Sequence, residues 1–176
     1  MAVLGGARLN QMLHGEWWVF PLFAHAVISA FLLITREKTN RKATTVQLII
    51  AWVSALMPFA AQINNPIPIY LRVLSILGVA FAVWTLVVLG KSFDVSPADR
   101  GLVDRGPYRI VRHPMYASEI FSTLVLVLAD LSLWNIMIVS LLIATIVLRI
   151  HWEEAIISNY DGYSQRVRAR LFPGVW

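Results

Sequence analysis

Long apolar runs limit the fold of this chain more than any other feature. A helix needs about 20 mostly apolar residues to cross the hydrocarbon core of a bilayer. Four runs approach this length and end at polar, charged or proline residues, at 17–34, 46–63, 69–89 and 131–150. A shorter run at 115–129 carries Glu119 near its start. The pattern predicts an all-α, multi-pass integral membrane bundle with about five transmembrane helices.

The composition agrees with a membrane domain and excludes several other classes of protein. Apolar residues make up 58% of the 176 residues and charged residues only 14%, which is unlike a soluble domain. The net charge of +5 indicates an anionic bilayer surface rather than nucleic acid, because the basic residues lie between apolar runs. Cysteine is absent, which excludes disulfides and thiolate metal sites. We therefore expect one domain, residues 1–176, without a nucleic-acid partner.

The basic residues lie mostly on one side of the predicted membrane. Thirteen of the 15 lysines and arginines follow the first run, follow the third run or lie at the C-terminal end. Only Arg8 and Arg72 lie on the opposite side. Because basic loops stay in the cytoplasm, the sequence predicts an outside N-terminus, a cytoplasmic C-terminus and a cytoplasmic cofactor site.

Several common catalytic motifs are missing from the sequence. It has no G-x-G-x-x-G after a strand, no P-loop, no H-E-x-x-H and no G-x-S-x-G, which argues against Rossmann enzymes, zinc proteases and serine hydrolases. The four histidines are scattered, so no metal site is expected. His25 lies within the first run, where a hydrogen-bonded histidine inside the bundle is favoured over a proton relay.

Two charged segments, 91–114 and 149–176, flank the last two apolar runs. A helical hairpin formed by those runs would bring both segments to the same side of the membrane. The segment 101–116, with the sequence GLVDRGPYRIVRHPMY, is the most informative part of the chain. We expect the functional site where these segments meet.

The end of this segment has the features of a helix start. Pro114 suits the first helical position because it has no N–H to donate, and His113 then caps the helix. The backbone amides of Met115 and Tyr116 are unpaired there and favour an anion such as a carboxylate. The alternative interpretation is an interfacial loop whose basic residues contact lipid headgroups.

Arg149 and Glu153 lie four residues apart at the end of the last apolar run. At this spacing they share one face of a helix. They can simply pair with each other. They can also form part of a site for a zwitterion, in which Glu153 binds an ammonium and the helix cap binds a carboxylate. Glu119 is interpreted as favouring the helix dipole or orienting Tyr116 rather than performing chemistry.

Three elements together resemble a known family. They are G-P-Y-x-x-x-R-H-P-x-Y at 106–116, the pair Glu153-Glu154, and the ending at 160–176. This combination is similar to the isoprenylcysteine carboxyl methyltransferase family and its prokaryotic relatives. The related phospholipid N-methyltransferases share the region. The resemblance covers about half the chain, from Lys91 to the C-terminal end, while Ser118 and the short spacing from Glu154 to Tyr160 depart from the family pattern.

The resemblance implies a membrane-embedded methyltransferase that uses S-adenosylmethionine, with its cofactor region at 91–176. It implies that the catalytic residues are Arg149, which orients the methyl acceptor, and Glu153. It also implies a cofactor pocket lined by Gly101, Leu102, Val103, Tyr108, His113, Pro114, Met115, Tyr116 and Glu153. The expected partners are the lipid bilayer and a lipidic or prenylated acceptor.

Several functions remain open at this point. A carboxylate acceptor, methylated on oxygen, is favoured because it is ionised at neutral pH and needs no base. A phospholipid amine would need a base, for which Glu154 or Glu119 would have to serve. A sterol- or steroid-type membrane reductase that binds NADPH and a non-enzymatic membrane scaffold are the remaining alternatives.

Overall fold

The computed structural model of the protein describes residues 13, 20–39, 43–62, 64, 66–174 and 176, and among these it omits the side chains of 20–23. Regular structure in this part of the chain is helical, without a strand, which confirms the all-α prediction. The α-helices whose bounds lie in the described residues are α1 (Phe20–Thr35), α2 (Thr45–Leu56), α3 (Ile69–Leu89), α4 (Pro114–Ala129), α5 (Leu133–Ile156) and α6 (Tyr160–Arg166). Short 3-10 helices cover Met57–Ala60, Gly90–Ser92 and Gly106–Arg109.

Two helical stretches are long and apolar enough to cross a membrane. They are Ile69–Ser92 and Leu133–Ile156, with mean hydropathies of 2.4 and 2.2. Only 28% and 39% of their most apolar portions are buried inside the protein, whereas the core helix of a soluble protein would be mostly covered. The exposed apolar faces therefore indicate contact with lipid. The shorter apolar helices are Ala24–Thr35, Thr45–Ala60 and Pro114–Ala129, so five spans stay a prediction.

Two helix boundaries differ from the sequence-based expectation. The predicted run at 46–63 forms an α-helix only to Leu56 and then tightens into a 3-10 turn, where Pro58 cannot donate a helical hydrogen bond. The last run extends beyond residue 150, because α5 continues to Ile156. Arg149 and Glu153 consequently lie in one continuous helix. The predicted start of the first run, at Trp17, lies outside the described residues.

The turn between α4 and α5 is fixed by one buried amide. Asn135 is fully buried, and its Nδ2 donates to the carbonyls of Asp130, at 2.8 Å, and Gln62, at 2.7 Å. Its Oδ1 accepts from the backbone N–H of Gln62 at 2.9 Å. These bonds hold the helical hairpin closed at one end. At its other end, the hairpin brings the 91–114 and 149–176 segments together.

Helices α3 and α4 form the most extensive helix pair in the described bundle. Gly78 of α3 permits their close approach. A Cβ atom at this position would lie 2.5 Å from Ser122 Oγ and 2.9 Å from Phe121 Cδ1. These distances are below van der Waals contact, so a side chain at position 78 would clash with Ser122 and Phe121 and require them to shift.

The first test concerns this contact. Gly78→Ala should destabilise the protein by about 1 to 3 kcal/mol, the usual range for overpacking a tight interface. Gly162→Ala is the matched control, because Gly162 lies in α6 with nothing within 4 Å of its added Cβ. Thermal unfolding in detergent should show a lower melting temperature for the first variant only. Equal melting temperatures would mean that α3 and α4 are not packed as closely as described.

Candidate functional site

A small cavity of about 90 Å³ lies beside the start of α4. Its wall is built by the 92–103 loop, the 3-10 turn at Gly106–Arg109, the first turn of α4, the end of α5 and α6. We call it the motif cavity. It is lined by Leu89, Ser92, Asp94, Ser96, Ala98, Gly101, Leu102, Val103, Tyr108, Arg112, His113, Met115, Tyr116, Glu153, Ile157, Tyr160 and Tyr163.

The structure brings together nearly all residues that the sequence nominated for a cofactor pocket. Eight of the nine line the motif cavity: Gly101, Leu102, Val103, Tyr108, His113, Met115, Tyr116 and Glu153. Pro114 is buried as the first residue of α4 but does not line the cavity. Arg149 lines a different cavity. The nominated catalytic pair is therefore divided between two adjoining sites, one helical turn apart on α5.

Glu153 is oriented by two partners in the motif cavity. The hydroxyl of Tyr116 donates to its Oε1, and its Oε2 lies 3.6 Å from Nδ1 of His113. The side chain of Glu153 remains 20% exposed. A carboxylate held by two neighbours and facing a cavity is suited to bind a positively charged group.

Glu154, the next residue, is the centre of a separate cluster. Its carboxylate accepts hydrogen bonds from Arg112, at 3.0 Å, from Arg170, at 3.0 Å, and from the Tyr160 hydroxyl, at 2.8 Å. Nε2 of His113 lies 3.3 Å from the same carboxylate. These contacts use the hydrogen-bonding capacity of the Glu154 carboxylate. Glu154 therefore anchors the C-terminal segment and is not available as a base.

The same cluster attaches the C-terminal segment to the cavity wall. The backbone N–H groups of Arg112 and His113 donate to the carbonyls of Ala169 and Arg170, both at 2.9 Å. Arg112 also donates to the carbonyl of Arg168. The charged end of the chain, which the sequence placed near the motif, thus supports the residues that line the motif cavity.

His113 is almost completely enclosed between the two glutamates. Burial alone lowers the pKa of its imidazole, but the hydrogen bonds and charges of Glu153 and Glu154 outweigh this effect, so the pKa is raised above its usual value. The imidazolium therefore persists to higher pH than in an unfolded chain. The imidazolium lies between the Glu153 carboxylate, which faces the cavity, and the Glu154 carboxylate, which holds the C-terminal segment.

The second test follows from this pKa. A histidine whose pKa is raised on folding stabilises the folded protein. This stabilisation is complete at a pH below the pKa of the unfolded chain, about 6.5, and is lost as the pH rises through the pKa of the folded protein. The melting temperature in detergent should thus fall above about pH 6.5 more steeply for the wild type than for His113→Gln. Parallel curves would show that the imidazolium does not stabilise the cluster.

Three tyrosines of the motif cavity are held neutral. Burial raises the pKa of Tyr108, and burial also raises the pKa of Tyr160 and of Tyr163. Tyr163 donates to the carbonyl of Tyr108 at 2.7 Å, which secures the 3-10 turn against α6. These phenols therefore act as hydrogen-bond donors and flat walls rather than as bases.

The 92–103 loop contributes residues that the sequence did not single out. Asp94 lines the motif cavity and forms a buried ion pair with Arg100, with 2.6 Å between Nη2 and Oδ2. Arg36 at the end of α1 contacts the other carboxylate oxygen at 2.9 Å. The loop lacks a periodic pattern, so only the folded structure reveals that Asp94 joins two elements at the cavity.

A second cavity of about 290 Å³ lies among α1, α3, α4, the 55–61 segment and Arg149 of α5, and its lining is mostly apolar. We call it the apolar cavity. Its polar lining residues are concentrated on α1, α3, α4 and α5: His25, Ser29, Ser75, Ser118, Glu119, Ser122, Thr123 and Arg149. An apolar lining with a few polar groups suits the chain of a lipid that carries a polar group.

Arg149 is the charged group at the end of the apolar cavity nearest the motif. It is 2% exposed, and its Nη1 and Nη2 donate to Ser54 Oγ, at 3.2 Å, and to the carbonyl of Val95, at 3.0 Å. Its Nε is buried without a hydrogen-bond partner in the described part of the chain. The simple interpretation that Arg149 pairs with Glu153 is thus not what the structure contains among these residues.

The two cavities adjoin at the first turn of α4. Met115 lines both of them. The ring of the next residue, Tyr116, lies under the guanidinium of Arg149 at 4.6 Å, while its hydroxyl bonds to Glu153. One residue thus contacts the charged group of each cavity. A group bound in the motif cavity would lie next to the polar end of a molecule bound in the apolar cavity.

These features define a membrane protein with a charged, aromatic cavity next to a larger, mostly apolar one. Residues 69–164, more than half the chain, match the phospholipid methyltransferase family. The chain belongs to this family. It is therefore a membrane methyltransferase that acts on lipid, which disfavours the reductase and scaffold alternatives. Comparisons with curated proteins and with solved structures gave no significant match.

Proposed function

We propose that the protein transfers a methyl group from S-adenosylmethionine to a lipidic or prenylated acceptor, and that the acceptor atom is a carboxylate oxygen. The observation that carries this proposal is the meeting of the two cavities at Met115 and Tyr116. A methyl donor on one side and a lipid headgroup on the other would be adjacent there. The specific likeness to isoprenylcysteine carboxyl methyltransferases belongs to the same proposal.

The donor set of the motif cavity fits the cofactor. Glu153 is suited to the ammonium of the methionine part, and Arg112 and His113 are suited to its carboxylate. Nε of Arg112 is buried without a partner among the described residues, so after a small shift of the side chain it can donate a hydrogen bond to the carboxylate. Leu102, Val103 and the neutral tyrosines offer an apolar and aromatic surface for the nucleoside. When bound, the cofactor would supply an electrophilic methyl group on a sulfonium.

Arg149 is the residue that we assign to the acceptor. Its guanidinium is held by Ser54 and Val95, and its Nε–H has no acceptor among the described residues. A carboxylate bound to it would be oriented by a charge-assisted hydrogen bond in a dry environment. Because methyl transfer is an in-line displacement, fixing the acceptor close to the methyl group is the main contribution required of the protein.

A phospholipid amine is the second candidate acceptor, and the family match favours it. An amine must lose a proton before or during transfer. Glu154 is occupied by its cluster, so Glu119 is the carboxylate that remains for this role, because it lines the apolar cavity together with Arg149. In this reaction Arg149 would bind the phosphate of the lipid.

The two candidates differ in the bond that is formed. Purified protein with radiolabelled S-adenosylmethionine should label N-acetyl farnesylcysteine, and alkali should release the label because it is a methyl ester. Alkali-stable label on phosphatidylethanolamine alone would establish the second candidate. Label on neither lipid, without bound S-adenosylhomocysteine in mass spectra of the purified protein, would overturn the proposal.

The third test concerns the predicted orientation in the membrane. The sequence has no cysteine, so a single introduced cysteine is the only thiol that a reagent can label. We propose that the site faces the cytoplasm, because most basic residues lie on that side. Lys38→Cys and Gln165→Cys, both at exposed positions, should be protected from an impermeant thiol reagent in intact cells. Leu131→Cys, in the exposed turn between α4 and α5, should be labelled. The reverse labelling pattern would invert the topology.

A further inference from the structure

Two hydroxyl groups of the apolar cavity are buried without a hydrogen-bond partner. Ser29 on α1 is 1% exposed, and its Oγ, like that of Ser122 on α4, has no partner within the described chain. Both residues line the cavity. Leaving a buried hydroxyl unpaired costs free energy, so folded proteins rarely do so without a reason.

Other hydroxyls in the same region follow the usual rule. Ser118 donates to the carbonyl of Met115 at 2.6 Å, and Thr123 donates to that of Glu119 at 2.8 Å. Such bonds to the preceding helical turn are the ordinary solution for serine and threonine in a helix. Ser29 and Ser122 lack such bonds, although both line the same apolar cavity. Both hydroxyls are enclosed and have no protein partner to lose, and rotation about χ1, which has three staggered positions in serine, can turn each of them toward a molecule in the cavity.

The two serines lie at a similar distance, along their helices, from the end of the apolar cavity that holds Arg149. Ser122 is about two helical turns beyond Met115 on α4, which corresponds to about 10 Å. Helix α1 ends on the same side, because Glu37 N donates to Lys91 O at 3.0 Å, and Ser29 is nearly two turns before that end, again about 10 Å. Both hydroxyls thus lie about two turns from the end of the cavity that holds Arg149.

We propose that Ser29 and Ser122 form a second polar recognition point for the lipid, which binds an oxygen atom in its chain about 10 Å from the methylated group. This inference rests on the proposed function and narrows its substrate class. A plain hydrocarbon or isoprenoid chain, such as that of farnesylcysteine, can enter the cavity but leaves both hydroxyls unpaired. The inference therefore favours the lipidic over the prenylated acceptors of the proposed function. An ester carbonyl of a glycerolipid or a hydroxyl group on a fatty acid can pair with the two serine hydroxyls, since serine both donates and accepts hydrogen bonds.

Binding measurements with two chain-matched pairs of lipids test this proposal. The pairs are stearate with 10-hydroxystearate, and dialkyl with diacyl phosphatidylethanolamine, each added to purified protein in detergent and quantified by native mass spectrometry. In at least one pair, the member that carries the chain hydroxyl or the ester carbonyls should bind about two- to tenfold more tightly, the effect expected of one neutral hydrogen bond. The pair that shows the preference identifies the source of the oxygen.

Matched variants assign the preference to the two serines. It should disappear in the double variant Ser29→Ala/Ser122→Ala and persist in Ser118→Ala, whose hydroxyl already has a backbone partner. The absence of a preference in both pairs for the wild type, or its survival in the double variant, would overturn the proposal. Because binding is measured apart from methyl transfer, a preference without transfer would overturn the proposed reaction and leave this recognition point intact.

Discussion

Arg149→Lys should lower the turnover of methyl transfer by about a hundredfold while cofactor affinity changes little. Lysine keeps the charge but loses the planar group that bonds Ser54, Val95 and an acceptor at the same time. A displacement of the acceptor by about 1 Å is enough for a loss of this size. Initial rates and calorimetric titration with S-adenosylhomocysteine on the same preparations measure the two quantities.

The comparison variant for Arg149→Lys is Arg170→Lys. Arg170 is also hydrogen-bonded, but its partner is Glu154 in the anchoring cluster and it does not line the apolar cavity. We expect this variant to lose thermal stability before it loses turnover. If Arg149 merely supported Glu153, Arg149→Ala would lower cofactor affinity and turnover in parallel, and lysine would restore both. That result would remove Arg149 from the acceptor site.

Glu153→Gln should weaken binding of the cofactor about ten- to a hundredfold. A charge-assisted hydrogen bond contributes on the order of 1.5 to 3 kcal/mol, and each 1.4 kcal/mol is a factor of ten. The amide keeps the size of the side chain and removes only the charge that the ammonium would meet. Titration calorimetry with S-adenosylhomocysteine, which carries the same ammonium, measures the change.

The adjacent residue provides a strict control for this variant. Glu154→Gln makes the same chemical change one position along the helix, at a carboxylate that does not line the motif cavity. Its effect should fall on melting temperature, through the loosened tail, rather than on affinity. An unchanged affinity in Glu153→Gln, or an equal loss of affinity in both variants, would contradict the assignment of the ammonium site.

The sequence could indicate that the residues of 101–116 lie together because they are close along the chain. Positions 101–116 form one loop, one 3-10 turn and the first turn of α4, so their proximity follows from short-range geometry. The spacing of Arg149 and Glu153 was predicted for the same reason, because α5 is continuous through both. The family resemblance then supplied roles that remain predictions.

The remaining features depend on packing between distant parts of the chain. Adjacent residues on a helix differ by about 100° in direction, which separates Glu153, facing the cavity, from Glu154, facing the tail. The apolar cavity requires α1, α3, α4 and α5 in contact, and no pattern within one helix specifies that arrangement. The predicted helix at 46–63 is interrupted at Met57 because of Pro58, and the hydropathy of the run alone does not indicate this break.

The shared wall at Met115 has a kinetic consequence for the proposed reaction. Since the two cavities adjoin there without coinciding, the methyl donor and the lipid can be bound at the same time, and no methylated form of the enzyme is required. Double-reciprocal plots of rate against cofactor concentration, measured at several fixed lipid concentrations, should therefore intersect rather than run parallel. S-adenosylhomocysteine should compete only with S-adenosylmethionine, because both bind the motif cavity. The methylated lipid should compete only with its unmethylated precursor, because both bind the apolar cavity.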